Sequence, residues 1–543
     1  MHKNRKQILG TLATVFTLSG TMLLNGCQNS AGKIQPSSGG EQESTVIENS
    51  EDLSKEISIQ ETEKETEEST TSEENPAENN NDSINNKLPQ VSISQTANSW
   101  YTEDGDTLLL DETHCTVEII NDGFDNLADA LRNWSKERSF GDDADNMLLQ
   151  DAKDHFSSID EISYFSSYYS YEDTRIGRSD AHILSLIETG SEYTGGAHGN
   201  HGSIGYTFDV QSGKILALED LLTDKEGFYA KATDYITDKL YETYDEGLYP
   251  EYKQIVADSW TGEFSIKYYL DASGIVIIYN PYEVGPYAMG EADVTLPYSK
   301  FGEYLDPNYV TTQGAVIAYV PANEDIAAFT GTTPPVMVEE IPDDYEFLGT
   351  SVISGTYAED LTEGGRLESA YFIRRADGKS FLIISADYAS DDYVTFVYDI
   401  TNSGLQKCDE LNGARIISTQ VNLDNIALSM HLDVLGTYSG EMLYTIESDG
   451  TLTQSEDVFS GFSSAFEMTV TKELPVTIDN NATTLPIGSI LTITGTNNID
   501  TVYFISSDGK EGYINYTIDE DDWIHYIDGI SEFEYFEMIP YAG

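Results

Sequence analysis

Two histidines in a glycine-rich stretch are candidates for a metal site or for catalysis. The stretch SEYTGGAHGNHGSIGYTFDV (191–210) places His198 and His201 among five glycines. A His-x-x-His pair provides only two zinc ligands, and Asp209 is a third by sequence proximity alone. The intervening glycines oppose the helix that would align the two imidazoles, and the spacing names no nucleophile or acid partner for catalysis.

A structural interpretation explains the glycines better than a metal or catalytic site. Gly195, Gly196 and Gly199 provide positive φ angles or close backbone approach between two strands. His198 would then bond to the backbone or stack on a tyrosine. We therefore predict no metal, no catalytic residue and no cofactor here, but a structural loop that can shape a binding surface.

A second motif, NPYEVGPYAMG, spans residues 280–290. Pro281 and Pro286 stiffen the turn, while Tyr282 and Tyr287 are expected to pack or to contact a partner. A structural role is again favoured over a ligand site.

The elements around both motifs predict an α+β fold. Apolar residues recur at helical spacing in 124–138 and 228–244, while 162–194 reads as two strands. Residues 264–305 read as strand, turn, strand, loop, strand and short helix. We therefore predict an antiparallel sheet with helices on one side over about 99–310.

The two motifs resemble a known extracytoplasmic domain. YTGGAHGN (193–200), then FDVQSGKILALEDLL (208–222), then YYLDASGIVIIYNPYEVGPYAMGEADVTLPYSKF (268–301) resemble the domain shared by the anti-sigma factor RsiV and the peptidoglycan deacetylase PdaC. The resemblance implies an α+β domain outside the cell, which binds lysozyme in RsiV and accompanies a separate deacetylase domain in PdaC. The motif residues it carries over, with roles unknown, are Gly195, Gly196, His198, Gly199, Asn200, Pro281, Tyr282, Pro286, Tyr287 and Gly290.

Two departures limit what this resemblance implies. We find no intracellular sigma-binding segment with a transmembrane helix, and no deacetylase-sized segment. Neither sigma-factor release nor deacetylation is therefore carried over to this chain.

The amino-terminal sequence predicts export and a lipid anchor. A basic start and an apolar run make 1–26 a signal peptide, and LLNGC (23–27) resembles a bacterial lipobox that would place lipid on Cys27. The following segment, 27–98, is acidic and poor in large apolar groups, so we predict a disordered tether. The expected location is the outer face of a bacterial cell membrane.

The carboxy-terminal half predicts β-rich domains. Residues 335–472 read as strands joined by Gly and Asp turns, either a sandwich or a partial propeller. Residues 475–543 read as a small barrel that resembles a bacterial Src-homology-3-like module. Cys115 and Cys408 are expected to be lone buried thiols, and the acidic run 519–522 to be a solvated turn rather than a calcium loop.

The charge of the chain restricts the classes of partner that it can bind. The formal net charge is −67, from 28 basic and 95 acidic residues. Because 1–27 carry three basic residues and no acid, and 28–98 carry 15 acidic and four basic, −59 remains on 99–543. Such a field repels nucleic acid and attracts cationic partners.

These features predict a non-catalytic surface lipoprotein that binds an envelope ligand. The ligand would be cell-wall glycan or a cationic protein such as lysozyme. Two alternatives stay open: an enzyme or enzyme subunit that modifies wall glycan, and a structural assembly lipoprotein. The sequence does not give the oligomeric state.

Overall fold

A computed structural model describes residues 87–541. The exceptions within this range are 139–145, 160–161, 262–265, 311–313, 343–347, 363–364, 389–391, 403, 463–465 and 520–523. The predicted signal peptide, the lipidated Cys27 and most of the tether therefore lie outside the described residues. So does most of the acidic run 519–522.

The described α-helices are α1 Asp125–Arg138, α2 Met147–Ser158, α3 Lys225–Tyr244, α4 Tyr252–Asp258, α5 Tyr298–Phe301, α6 Pro307–Val310 and α7 Ala327–Thr330. Two of them, α1 and α3, lie on the segments 124–138 and 228–244 whose periodicity predicts helices. In α1, the apolar residues Leu127, Leu131 and Trp134 are buried against the sheet, as their helical spacing predicts.

The strands dominate the rest of the chain. Up to residue 320 they are β1 Val91–Tyr101, β2 Leu108–Ile119, β3 Tyr168–Asp180, β4 Ile183–Tyr193, β5 Asn200–Asp209, β6 Tyr268–Leu270, β7 Gly274–Tyr279, β8 Ala292–Pro297 and β9 Val316–Tyr319. Between residues 336 and 454 they are β10 Val336–Pro342, β11 Leu348–Ser354, β12 Tyr357–Thr362, β13 Arg366–Arg374, β14 Ser380–Asp387, β15 Tyr393–Asp399, β16 Gln406–Asn412, β17 Ala414–Val421, β18 Ile426–Asp433, β19 Thr437–Ile446 and β20 Leu452–Gln454. The remaining strands are β21 Glu467–Thr469, β22 Leu474–Ile478, β23 Asn481–Leu485, β24 Ile490–Thr496, β25 Thr501–Ser506, β26 Glu511–Asn515, β27 Thr517–Ile518, β28 His525–Ile527 and β29 Ile530–Ser531.

The predicted α+β class with a β-rich carboxy-terminal region is confirmed. The largest sheet has ten strands, in the order β1-β2-β3-β9-β13-β14-β15-β16, with β4 and β5 attached beside β3. One detail differs from the prediction: β2 and β3 run parallel, while the other pairs of this sheet are antiparallel. The parallel pair needs a long crossover, which contains α1 and α2.

Two features of this sheet bear on the predicted domain boundaries. Strand β1 begins at Val91, which is fully buried, so the predicted tether extends too far at its carboxy-terminal end. Short β9 pairs with β3 on one side and with β13 on the other. The sheet therefore continues through the predicted boundary between 310 and 335.

Smaller sheets complete the described part. Strands β17–β20 form a four-stranded sheet, and β21–β26 form a six-stranded one in the region predicted to be a small barrel. Cys115 is buried as expected, but Cys408 is only partly buried; both are free thiols.

The three-stranded sheet β6-β7-β8 packs across β3, β4 and β5. The backbones approach so closely that a Cβ at Gly205 would collide with the Tyr268 carbonyl group. A Cβ at Gly177 would lie 2.7 Å from the Leu270 carbonyl oxygen. Ile187, Tyr269, Val276 and Ile278 are buried together at this contact.

Candidate functional site

The candidate site lies on one face of strands β3, β4 and β5, which we call the inner face. Side chains alternate between the two faces of a strand, and directly paired residues share a face. The register therefore places a row of residues together on the inner face: Tyr169, Tyr171, Asp173 and Arg175 of β3, Ile187, Thr189, Ser191 and Tyr193 of β4, and His201, Ser203 and Gly205 of β5.

The two sequence motifs meet at one end of this face. The ring of His198 stacks on Tyr287 with a centroid distance of 4.1 Å, and His201 meets the same ring edge-on at 5.3 Å. His201 Nδ1 lies 3.3 Å from the Tyr287 hydroxyl, and His198 Nε2 lies 3.4 Å from that of Tyr282. We call these four residues the signature cluster.

The contacts of His198 match the structural interpretation. Its ring stacks on a tyrosine, and its Nδ1 lies 2.9 Å from the carbonyl oxygen of Gly199. Asp209, the third ligand considered for zinc, lies at the opposite end of β5 from His201. In the part of the chain that the structure describes, no group of three or more His, Cys, Asp or Glu residues could hold a metal ion.

The glycines of the first motif make room for a second aromatic group. Tyr169 stacks on Tyr171 at 4.9 Å and on Tyr193 at 5.8 Å, and we call these three residues the tyrosine stack. A Cβ at Gly199 would lie 2.7 Å from the Tyr169 hydroxyl oxygen, while Tyr193 donates a hydrogen bond to the Gly196 carbonyl oxygen. Gly195 and Gly196 have φ angles of 89° and 114°, as glycine permits.

Asn280 joins the two motifs, although sequence reasoning did not single it out. Its Oδ1 accepts a hydrogen bond from the Ser203 amide at 2.9 Å. A Cβ at Gly202 would lie 2.8 Å from Asn280 Cγ. In the sequence, the Asn280-Pro281 dipeptide indicates only a turn. The hydrogen bond between Asn280 and β5 depends on tertiary structure, which has no local sequence signal.

Tyr282 stands out within the second motif. It is a non-glycine residue with a φ angle of 72°, and 53% of its surface is exposed. Positive φ costs a residue with a Cβ about 1–3 kcal/mol, and such strain clusters at binding and catalytic sites. Pro281 precedes it, while exposed Pro286 caps the short 3₁₀ turn Tyr287–Met289, which Gly290 closes with a φ angle of 76°.

Further along the inner face, Arg175 has no hydrogen-bonding partner in the described structure. Its guanidinium lies over the Tyr319 ring, 4.5 Å from the centroid, and its buried Nε has no acceptor. Tyr371 packs edge-on against Tyr319 at 5.7 Å. Tyr371 is fully buried, and its hydroxyl also lacks a hydrogen-bonding partner.

Carboxylates surround Arg175 without forming an ion pair with it. Burial raises the pKa of Asp173, and the charge of Arg175 opposes this shift. Desolvation, with repulsion from Glu291, raises the pKa of Asp293 to about 7. Asp173 and Asp293 are both exposed, so the region around Arg175 is open to solvent on this side. We call this region the Arg175 recess.

On the opposite face of the same strands, another arginine has two carboxylate partners. Arg138, at the end of α1, contacts Glu188 and lies 3.2 Å from Glu172 Oε2, and it donates a 2.7 Å hydrogen bond to the Tyr206 hydroxyl. His114 Nδ1 lies 3.3 Å from Glu172 Oε2. Burial and the neighbouring Glu172 charge raise the pKa of Glu188 to about 7.

Comparison with known proteins identifies one segment of the chain. Residues 219–299 match the family model described as "Protein of unknown function (DUF3298)", so the chain carries a DUF3298 domain there. The second motif, 281–290, lies within this segment, and the first motif precedes it. No curated protein matches the chain.

Two solved structures of DUF3298 proteins are similar to this chain. One, from Bacteroides fragilis NCTC 9343, is 21% identical, covers 41% of this chain and 96% of its own, and has a TM-score of 0.33. The other, from Pseudomonas aeruginosa PAO1, is 17% identical, covers 41% of this chain and 97% of its own, and has a TM-score of 0.29.

No described helix is long and apolar enough to cross a membrane.

Proposed function

We propose that this protein is a non-catalytic surface lipoprotein that binds a cationic protein of the cell envelope through the signature cluster and the tyrosine stack. The observation that carries the proposal is the exposed, strained Tyr282 beside the stacked His198 and Tyr287. Exposed aromatic rings that are fixed by neighbours lose little entropy on binding, and tyrosine is enriched at binding hot spots.

The charges around these rings favour a cationic partner. Asp111 accepts a hydrogen bond from the hydroxyl of Tyr171, a member of the tyrosine stack. A lysine or arginine of the partner could therefore pack on a ring while lying close to a carboxylate.

Wall glycan is the second candidate, because the tyrosine stack offers ring faces that could pack against sugars. The location and lipid anchor proposed here rest on the amino-terminal sequence alone.

Calorimetry on the full-length chain tests the proposal with egg-white lysozyme as the cationic protein probe. We expect binding that weakens as salt rises, because exposed charges are screened. Tyr282→Ala should weaken it about tenfold, since a hot-spot aromatic contributes 1–2 kcal/mol or more.

Tyr101→Ala is the matched control, since Tyr101 is similarly exposed at 55% but lies on β1. Equal loss in both variants would contradict the proposed surface. Binding of soluble peptidoglycan fragments but not of lysozyme would shift the assignment to glycan.

A further inference from the structure

Arg175 differs from the other arginines whose ion pairs the structure shows. A carboxylate oxygen lies within 4.0 Å of each of Arg132, Arg138, Arg178, Arg375 and Arg415. Among the residues that the structure describes, Arg175 lies over the Tyr319 ring and forms no ion pair. The chain has 95 acidic residues, so a carboxylate side chain that pairs with Arg175 could readily be part of the fold. The missing partner therefore marks a position where an external acceptor can bind.

The groups around Arg175 are arranged as a recess rather than as a closed core. Arg175 pairs with Ile187 across β3 and β4, and Ile187 packs on Ile278 of β7. Ile278 pairs with Asp293, which therefore faces the same space as Arg175. Arg175 is half-buried and Asp293 is exposed, so this space opens to solvent.

Two more buried polar atoms lack a hydrogen-bonding partner near this arginine. One is the Tyr371 hydroxyl, on a side chain that is fully buried. The other is Oδ2 of Asp271, whose Oδ1 accepts bonds from Ser273 and Gly274. Both groups interact electrostatically with Arg175. Leaving such buried groups unsatisfied is costly, and a ligand that displaces the groups covering them would remove that cost.

We propose that the Arg175 recess binds the carboxylate of an amino acid or a short peptide that also carries a free ammonium group. The planar guanidinium fork suits a carboxylate, which it can hold through two parallel hydrogen bonds. A purely anionic ligand would be repelled by Asp173, Asp271 and Asp293. A zwitterion adds no net charge and places an ammonium among these carboxylates. This site does not depend on the proposed cationic protein partner.

Calorimetric titration of the full-length chain tests the site, with the dipeptide alanylalanine as the zwitterionic probe and acetate and inorganic phosphate as purely anionic ones. We expect alanylalanine to bind more tightly than either anion. Arg175→Met should weaken its binding about tenfold or more, because the charged bidentate bond is lost. Absence of binding at millimolar alanylalanine, or tighter binding of phosphate, would overturn the proposal.

Arg415→Met is the matched control, since Arg415 also lies over a tyrosine ring, at 4.8 Å from Tyr393, but has Glu368 nearby. The affinity of the Arg415→Met variant for alanylalanine should stay unchanged. An equal loss of affinity in both variants would overturn the proposed site. If Arg175→Met does not fold, Arg175→Lys keeps the charge and tests the fork alone. The affinity of the Arg175→Lys variant for alanylalanine should fall. An unchanged affinity would exclude bidentate binding of the carboxylate.

Tyr371→Phe provides an independent readout. Because the Tyr371 hydroxyl has no hydrogen-bonding partner among the described residues, removing it should leave the Tm unchanged or raise it, while alanylalanine affinity falls. A lower Tm together with unchanged affinity would assign the hydroxyl a structural role and remove it from the site.

Discussion

Two arginines that lie on opposite faces of strands β3 and β4 have different contacts. On the helix-covered face, Arg138 is held by Glu172, Glu188 and Tyr206. On the inner face, Arg175 lies over one aromatic ring and has no hydrogen-bond acceptor within the described part of the chain. The arginine with two carboxylate partners is a structural clamp for the end of α1. Arg175, which has no carboxylate partner among the described residues, keeps hydrogen-bonding capacity for a ligand. One face of these strands therefore stabilises the fold, while the other is available for binding.

The largest expected effect that tests this difference between the two faces is the loss of stability on substitution of Arg138. Arg138→Met leaves two largely buried carboxylates next to each other, so we expect a loss of about 3 kcal/mol in the free energy of unfolding. Urea denaturation measures this loss. Arg132→Met is the control, because the Arg132–Asp129 pair is about 70% exposed on both sides and should contribute little. Similar small losses in both variants would show that Arg138 is not a clamp.

The next effect is the pH dependence of the same cluster. Folding raises the pKa of Glu188 to about 7, because burial and Glu172 disfavour its charge. Stability from this group is therefore complete below its unfolded pKa and is lost as pH rises through about 7. We expect a loss of up to about 3 kcal/mol between pH 4.5 and pH 8.

Urea denaturation across this pH range should show a flatter profile for Glu188→Gln than for the parent chain. Glu192→Gln, which changes an exposed carboxylate of the same strand, should follow the parent profile. A Glu188→Gln profile parallel to the parent would assign the pH dependence to other carboxylates, among them Asp293 and Glu441, whose pKa values burial also raises to about 7.

The smallest expected effect is on Arg175 without ligand. Arg175→Met removes a stacking contact of about 0.5–1 kcal/mol but also a buried donor that lacks an acceptor. These changes offset each other, so the free energy of unfolding should change by less than about 1 kcal/mol. A loss as large as that of Arg138→Met would contradict the distinction between the two faces.

The sequence predicts the elements of this site better than their contacts. The spacing of Leu127, Leu131 and Trp134 predicts α1, and the glycines of the first motif predict a positive-φ loop with His198 stacked on a tyrosine. The roles of Arg138 and Arg175 depend on strand register, since neighbouring positions on β3 face opposite sides. Neither the 4.5 Å approach to Tyr319 nor the contact of Asn280 with β5 has a local sequence signal.

The placement of β9 has a consequence for how the chain reaches its native state during synthesis. One long edge of β3 pairs with residues 316–318, and this short strand pairs in turn with β13 at residues 371–374. Until residues 316–318 have been made, the carboxy-terminal part of β3 exposes unpaired backbone groups, and until residues 371–374 follow, β9 does so; such edges could pair with other chains. The nascent amino-terminal half is therefore expected to need a chaperone, and a protein truncated near residue 310 would be prone to aggregate.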